Sequence, residues 1–342
     1  MLAAQTELKN AQKVKDYIIQ RDILNKDYLA VKELGFIYFP LLKRVKVPGA
    51  MVVDTKFTFP LKQKELRVEE LLKDKLTKME LKNIPKSQEV IGSILILEIP
   101  PEFSSKEKMI AQAYLQVHKA VSTVVKKEDI HSGQFRTRHV KILAGKKTTE
   151  TIHQENGVKI KLDIEKVYFS ARSAHERMRI AQQVKKNEMV LVMFSGAGPF
   201  LLVIARNSEV NMVYGVEMNP QGHIYAVENV TLNKLEKKII LKEGDVRQIV
   251  PLLEEKFDRI VMPLPKTGEE FLPLALAKVK MGGMIHLYAF LEEKDIKEYE
   301  KKVRGICTKL KFRVTIVDTV KCGQFSPRLF RMCLDIKILG NV

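Results

Sequence analysis

The sequence predicts an α/β protein built on a Rossmann-like sheet, mostly parallel with an antiparallel last strand, and preceded by two smaller α/β domains. Three observations predict it. From Met189 onward, apolar runs of strand length alternate with stretches of helical periodicity, which implies a parallel sheet covered on both faces. The first strand of that series runs into a glycine-rich turn, Phe194-Ser195-Gly196-Ala197-Gly198-Pro199, and the second ends in an acid, Glu217. Glycines let backbone N–H groups approach a ligand, the following helix N-terminus favours negative charge, and an acid at the tip of the next strand suits a ribose diol. Finally, the chain closes with two strands, 312–320 and 331–338, that can pair antiparallel.

Taken in order, residues 1–24 read as an amphipathic helix with Val14, Ile18, Ile19 and Ile23 on one face. Short strands at 36–39, 51–53 and 57–59 complete a first α/β module, 1–64. The charged stretch after it reads as one or two surface helices, 91–99 as one buried strand, and 109–125 as a helix opened by a Ser104/Glu107 capping box. These make a middle α/β domain, 65–150. The basic segment HSGQFRTRHVKILAG lies at its end. From Thr151 the domain 151–342 begins with a hairpin whose turn is Glu155-Asn156-Gly157. An arginine-rich helix start follows, with Arg172, Arg177 and Arg179. Beyond the glycine turn come a helix (221–232), a strand to Lys242 with Asp245 just past it, and a helix to Glu255. A strand (258–262) then ends at Pro263-Leu264-Pro265. The remaining pieces are a helix (270–279), a strand (284–290) and a helix (292–310). Glu217, Asp245 and Pro263 would all lie at the carboxyl edge of the sheet, where such folds bind one ligand. Asp245 has a structural alternative as a helix N-cap.

Composition narrows the partners. Lys and Arg number 59 against 41 Asp and Glu, a net charge of +18, and the excess falls in both halves rather than in a tail. A basic surface over several domains points to a polyanion such as nucleic acid. The three cysteines, Cys307, Cys322 and Cys333, form no CxxC pair, and His153, His175, His223 and His286 lack ligand spacing, so no metal is expected. No apolar run reaches membrane-spanning length and the N-terminus lacks an apolar signal core. A reduced, cytoplasmic setting is the expectation, with no membrane partner.

The stretches FRTRHVKILAG, TIHQENG, DIEKVYFSARSAHERMRI, MFSGAGPF, GVEMNP, GDVR and the SPR near the end carry a resemblance. With them the chain resembles the archaeal and eukaryotic tRNA (guanine(37)-N(1))-methyltransferases, a class I S-adenosylmethionine-dependent family. The resemblance implies methyl transfer from S-adenosyl-L-methionine to N1 of the guanosine 3′ of the anticodon. It implies that Glu176 is the general base and that Arg136 braces the guanine oxygen as negative charge develops there. It places Tyr168, Phe194, Gly196, Gly198, Glu217, Asp245, Val246 and Pro263 around the methyl donor, and Arg138, Arg172, Arg177 and Arg328 toward RNA. The first module would grip the outer corner of the tRNA, the middle domain would bind RNA, and the enzyme would act as a monomer on the anticodon stem-loop. Without the resemblance, Glu176 reads as a helix-surface acid paired with Arg179, and Tyr168 as a half-buried aromatic. Three positions depart from the family pattern: Val192 where an acid is usual, Glu217 where aspartate is usual, and Pro263 where asparagine is usual. These departures leave two alternatives beside the leading function. One is an enzyme that also methylates carbon seven of a wyosine precursor at the same position; the other is a tRNA-binding homologue with weakened catalysis. Cytosine-C5 chemistry is disfavoured, because no nucleophilic cysteine stands near the fourth strand.

Overall fold

The computed structural model describes residues 1–62, 66–128 and 137–341. The chain divides into two compact units, Met1–Arg67 and Val68–Val342.

In the first unit, β1 (Leu2–Glu7) is followed by α1 (Ala11–Gln20), β2 (Val31–Glu33), β3 (Phe36–Pro40) and β4 (Met51–Asp54). The sheet order is β2-β3-β1-β4. The helix expected over 1–24 therefore starts only at Ala11. Residues 2–7 have fair helix propensity, but both edges of that segment find antiparallel partners, and Ala3 and Ala4 are fully buried. Tertiary pairing overrides local preference there. Val14 and Ile18 of α1 pack on Ala4, Ile37 and Phe39.

The second unit opens with α2 (Val68–Leu72) and α3 (Lys78–Asn83), then β5 (Gln88–Ile91), β6 (Ile94–Leu97), α4 (Glu107–Val117), β7 (Thr123–Lys127) and β8 (Val140–Gly145). These four strands form a sheet in that order. The single strand expected at 91–99 is instead a hairpin that turns at Gly92-Ser93. Gly92 has φ +54°, and a Cβ there would lie 2.3 Å from Thr151 Oγ1, so only glycine allows the turn to seat against the next hairpin. The helix expected to run to Val125 stops at Val117, because Thr123, Val124 and Val125 are taken into the sheet beside β6. The Ser104/Glu107 capping box does not form. Ser104 donates instead to the Pro101 carbonyl, and the Glu107 carboxylate accepts from Lys126 and Lys141. A capping box does occur at Thr77 and Glu80.

The hairpin β9 (Glu150–Glu155) and β10 (Val158–Asp163) follows, then α5 (Ala174–Gln183) and the large sheet. Its elements are β11 (Met189–Met193), α6 (Pro199–Asn207), β12 (Met212–Glu217), α7 (Pro220–Leu232), β13 (Ile239–Glu243), α8 (Val246–Leu252), β14 (Phe257–Met262), α9 (Leu272–Lys278), β15 (Val279–Leu291), α10 (Ile296–Lys309), β16 (Phe312–Gln324) and β17 (Phe330–Asn341). The seven strands run β13-β12-β11-β14-β15-β17-β16. All are parallel except β17, which slots antiparallel between β15 and β16. The expected mostly parallel sheet with an antiparallel last strand is thus present. One face packs on α8, α9 and α10 through residues such as Leu191, Val250, Leu276 and Val303. The other packs on α5, α6 and α7, and its core continues into β9–β10 and the Ile91, Ile94, Ile96 and Val125 side chains of the middle sheet. The middle sheet and the large sheet therefore share one apolar core. The order reverses at β11, with β12 on one side and β14 on the other, which opens a crevice above the carboxyl ends of these strands. No helix among the described residues is long and apolar enough to cross a membrane.

Candidate active site

The crevice is a cleft of about 480 Å³ at the carboxyl ends of β11, β12, β13 and β14. Its floor is the glycine turn. Phe194, Gly196 and Gly198 have φ of +61°, +56° and +86°, so the chain doubles back tightly before α6 begins with Pro199 at its first position. A left-handed φ is costly for an ordinary side chain, and Phe194 accepts it at the entry to the turn. Its ring is held edge-on to Phe271 at 4.8 Å between centroids. Gly198 is buried at the N-cap of α6 and shapes the turn without lining the cleft. Ser195 Oγ is buried with no hydrogen-bond partner among the described residues.

Glu217 closes β12 and turns its carboxylate back over the turn. It accepts from the backbone N–H of Gly196 at 2.5 Å and of Asn219 at 2.7 Å. Burial pushes this carboxyl above the usual range, and the backbone N–H groups of Asn219, Gly196 and Met218 only partly offset that. A carboxylate has about four acceptor positions, so capacity remains for a further hydroxyl donor. Asp245 takes its structural alternative and caps α8, accepting from Arg247 N–H at 2.8 Å, while still lining the cleft beside Val246. Pro263 and Leu264, just past β14, line the cleft, as does Tyr168. Arg331 donates to Tyr168 Oη at 2.9 Å and to Ser173 Oγ. Val192 is fully buried inside the sheet between Gly215 and Val261.

Glu176 lies in the first turn of α5, 4% exposed, and lines the same cleft. Arg179 one turn on grips it with two hydrogen bonds of 2.7 and 2.8 Å, and Tyr288 Oη donates to it at 2.6 Å. The ion pair that a surface helix would show is therefore formed, with Glu176 buried on the cleft wall and Arg179 partly exposed behind it. Burial, with Cys333 and Glu176 nearby, pushes the Tyr288 hydroxyl well above its ordinary value, so it stays a donor.

The other arginines divide. Arg172 and Arg328 are exposed, on the turn before α5 and on the β16–β17 loop. Arg177 is 2% exposed and fixed by Glu155 through two hydrogen bonds of 2.5 Å and by the Ser170 carbonyl at 3.1 Å. Arg138 is 3% exposed and paired with Glu89 at 3.0 Å. Both guanidinium groups are buried and ion-paired within the second unit, where each ties a strand in place, and Arg177 also lines the cleft. Arg136 lies outside the described residues.

Sequence reasoning missed Tyr288, Phe271, Arg331 and Asp335. The alternation of β15 (Ile285, Leu287 and Ala289 on one face, His286 and Tyr288 on the other) could have flagged a polar stripe. His286, Cys333 and Asp335 bring possible ligand atoms within 4.8 Å of one another. Arg179 and Arg259 both bond into this cluster, so two guanidinium charges oppose a cation there.

The cleft therefore brings together the glycine turn, the acid Glu217 beside it, the apolar side chains of Phe194, Val246 and Phe271, and the buried Glu176 carboxylate. The donor set fits S-adenosylmethionine. The family profile described as TRM5/TYW2 methyltransferase domain matches residues 151–316, and the TYW2 N-terminal domain matches residues 68–148. The tRNA (guanine(37)-N(1))-methyltransferase Trm5b of Pyrococcus abyssi is 34% identical over 339 residues, covering 98% of this chain and 99% of that one. The crystal structure of wild-type Trm5b from Pyrococcus abyssi superposes with a TM-score of 0.76, covering 99% of this chain and 100% of that one at 33% identity. The complex of aTrm5 and tRNALeu gives 0.70 at 29% identity, covering 99% and 100%. TYW2 of Methanocaldococcus jannaschii, solved with AdoMet, gives 0.58 at 27% identity over 75% of this chain and 100% of that one. With matches that run from the first unit through the donor cleft, the chain belongs to the TRM5/TYW2 family of S-adenosylmethionine-dependent methyltransferases.

Proposed function

We propose that the protein transfers a methyl group from S-adenosyl-L-methionine to N1 of the guanosine 3′ of the tRNA anticodon. The observation that carries this reading is the placement of Glu176, a buried carboxylate, on the wall of the cleft that the glycine turn and Glu217 complete. When bound, the donor supplies an electrophilic sulfonium methyl. Glu217 would hold its ribose, Asp245 and Val246 its adenine end, and Tyr168, Phe194, Gly196 and Pro263 the remaining walls.

The chemistry then falls to the chain. Guanine N1 carries a proton and is a poor nucleophile until the proton leaves. Glu176 accepts it, and Arg136 stabilises the charge that develops on the neighbouring exocyclic oxygen. Tyr288 and Arg179 hold the Glu176 carboxylate in one plane before the base arrives. Arg172 and Arg328, both exposed, would meet RNA phosphates. In this proposal residues 1–64 grip the outer corner of the tRNA, 65–150 add RNA contacts, and 151–342 carry the reaction, as a cytoplasmic monomer that needs no metal. Matches to Trm5b over nearly the full chain, first unit included, favour this reading.

A second reading, methylation of carbon seven of a wyosine precursor at the same site, is favoured by Pro263. An asparagine amide expected beside the base is absent there, and the wall is apolar. Single-turnover methyl transfer to a tRNA transcript tests the main reading. Glu176→Gln and Arg136→Ala should each slow the step at least about a hundredfold while tRNA binding holds. Full activity in both variants would remove the mechanism.

A further inference from the structure

Glu176 does not stand alone behind the cleft. Arg179, which does not line the cleft, bridges two carboxylates. Its Nε and Nη2 reach Glu176, while Nη1 reaches Asp335 Oδ2 at 2.7 Å and Nη2 reaches Oδ1 at 3.2 Å. Asp335, on β17 and 2% exposed, also accepts from Gln183 at 3.0 Å and from His286 Nδ1 at 2.6 Å. Arg259 on β14 meets the other ring nitrogen of His286 at 2.6 Å and is itself paired with Glu188 at 2.9 Å. A ring whose Nε2 faces a guanidinium must accept there, so His286 carries its one proton on Nδ1 and is neutral.

The titratable and charged groups around Glu176 and its bonded partners come from four elements. On α5 they are Arg179 and, turned away to Glu155, Arg177. On β15 they are Tyr288 and His286, on β17 Cys333 and Asp335, and on β16 Cys322. Burial pushes the Cys333 thiol and the Tyr288 hydroxyl up and the His286 imidazole down, so all three are neutral. Burial opposes ionisation of Asp335, yet the hydrogen bonds from His286 and Arg179 hold it far below the carboxylate range. One guanidinium is thus shared between two carboxylates.

That sharing has a chemical consequence. A cation bonded to a carboxylate favours its ionised form and weakens it as a base. A second carboxylate on the same cation draws the charge away and restores basicity. We propose that Arg179 and Asp335 are positioning residues that together set the proton affinity of Glu176 from behind the cleft, with His286 holding Asp335 in place. The inference rests on Glu176 being the base.

The test is single-turnover methyl transfer to a guanosine-37 tRNA transcript across pH, in the full chain. It compares wild type, Arg179→Met, Arg179→Lys, Asp335→Asn and, as control, Glu176→Gln. Losing the cation should move the acidic limb of the profile up by about one pH unit or more. Losing Asp335 should move it down, because Arg179 then acts on Glu176 alone. Lysine at 179 should bring the limb back toward wild type. A purely structural role would lower the rate at every pH and leave the limb in place. If Asp335→Asn fails to fold, the Met and Lys pair decides alone: a limb displaced by Met and returned by Lys supports the inference. An inactive Glu176→Gln with unmoved limbs in the other variants, or shifts of the same sign in Arg179→Met and Asp335→Asn, overturns it. An active Glu176→Gln overturns the base reading beneath it.

Discussion

Replacing Glu155 with glutamine should be among the costliest single changes near the cleft. Glu155 ends β9 and holds Arg177 of α5 through two hydrogen bonds of 2.5 Å. Both side chains are about 3–4% exposed, and the guanidinium lies 5.2 Å from the centre of the Phe169 ring. In Glu155→Gln the volume is kept, but a buried guanidinium loses its counter-charge and keeps only the Ser170 carbonyl at 3.1 Å and a neutral amide. Breaking a buried pair from one side costs about 3–5 kcal/mol. At roughly 2–4 °C per kcal/mol for a unit of this size, the melting temperature should fall by on the order of 6–20 °C.

The pH dependence has a definite sign. Burial pushes the Glu155 carboxyl up, but hydrogen bonds from His153 and Arg177 outweigh it and hold the group below its ordinary value. A depressed carboxyl stabilises the fold above its unfolded value, and that stability is lost as pH falls through the folded one. The gap between wild type and Glu155→Gln should therefore be full at neutral pH and close on acidification below the ordinary glutamate range. Thermal melts followed by circular dichroism across pH would read both effects. A loss under about 1 kcal/mol at neutral pH, or a gap that widens in acid, would refute the reasoning.

Two further outcomes are expected. Glu217→Ala removes the acceptor proposed for the donor ribose, so donor affinity measured by calorimetry should weaken by roughly 1.5–3 kcal/mol, about tenfold to a hundredfold in Kd; an unchanged Kd would place the donor elsewhere. With a net charge of +18, tRNA affinity should fall steeply with salt, about tenfold or more between roughly 50 and 200 mM if three or more phosphates are neutralised; a flat profile would remove the polyanion argument.

Features written in local pattern were legible before the fold was known. The glycine turn, the acids that end β12 and follow β13, the Asn156-Gly157 hairpin and the strand–helix alternation from Met189 each depend on residues a few positions apart. What could not be read depends on distant partners. Arg138 and Arg177 look like RNA-facing arginines until Glu89 and Glu155, 49 and 22 residues away, take them inside. Tyr288 reaches Glu176 from 112 residues downstream, and Asp335 reaches Arg179 from 156 residues downstream. The strand at 2–7 was hidden for the same reason, since its partners Phe36–Pro40 and Met51–Asp54 override a helix-compatible stretch. Glu176 was singled out in the sequence only through the family pattern, and its hydrogen-bonded cage, built from Arg179 and Tyr288, was not legible there.

The central claim is that this cleft methylates the guanosine 3′ of the anticodon. Purified protein incubated with labelled S-adenosyl-L-methionine and a tRNA transcript bearing guanosine at that position, beside one bearing adenosine, tests it most directly by nucleoside mass analysis. The expected result is 1-methylguanosine from the first transcript and no methylated nucleoside from the second. Label in neither transcript, while the protein still binds both donor and tRNA, would contradict the claim.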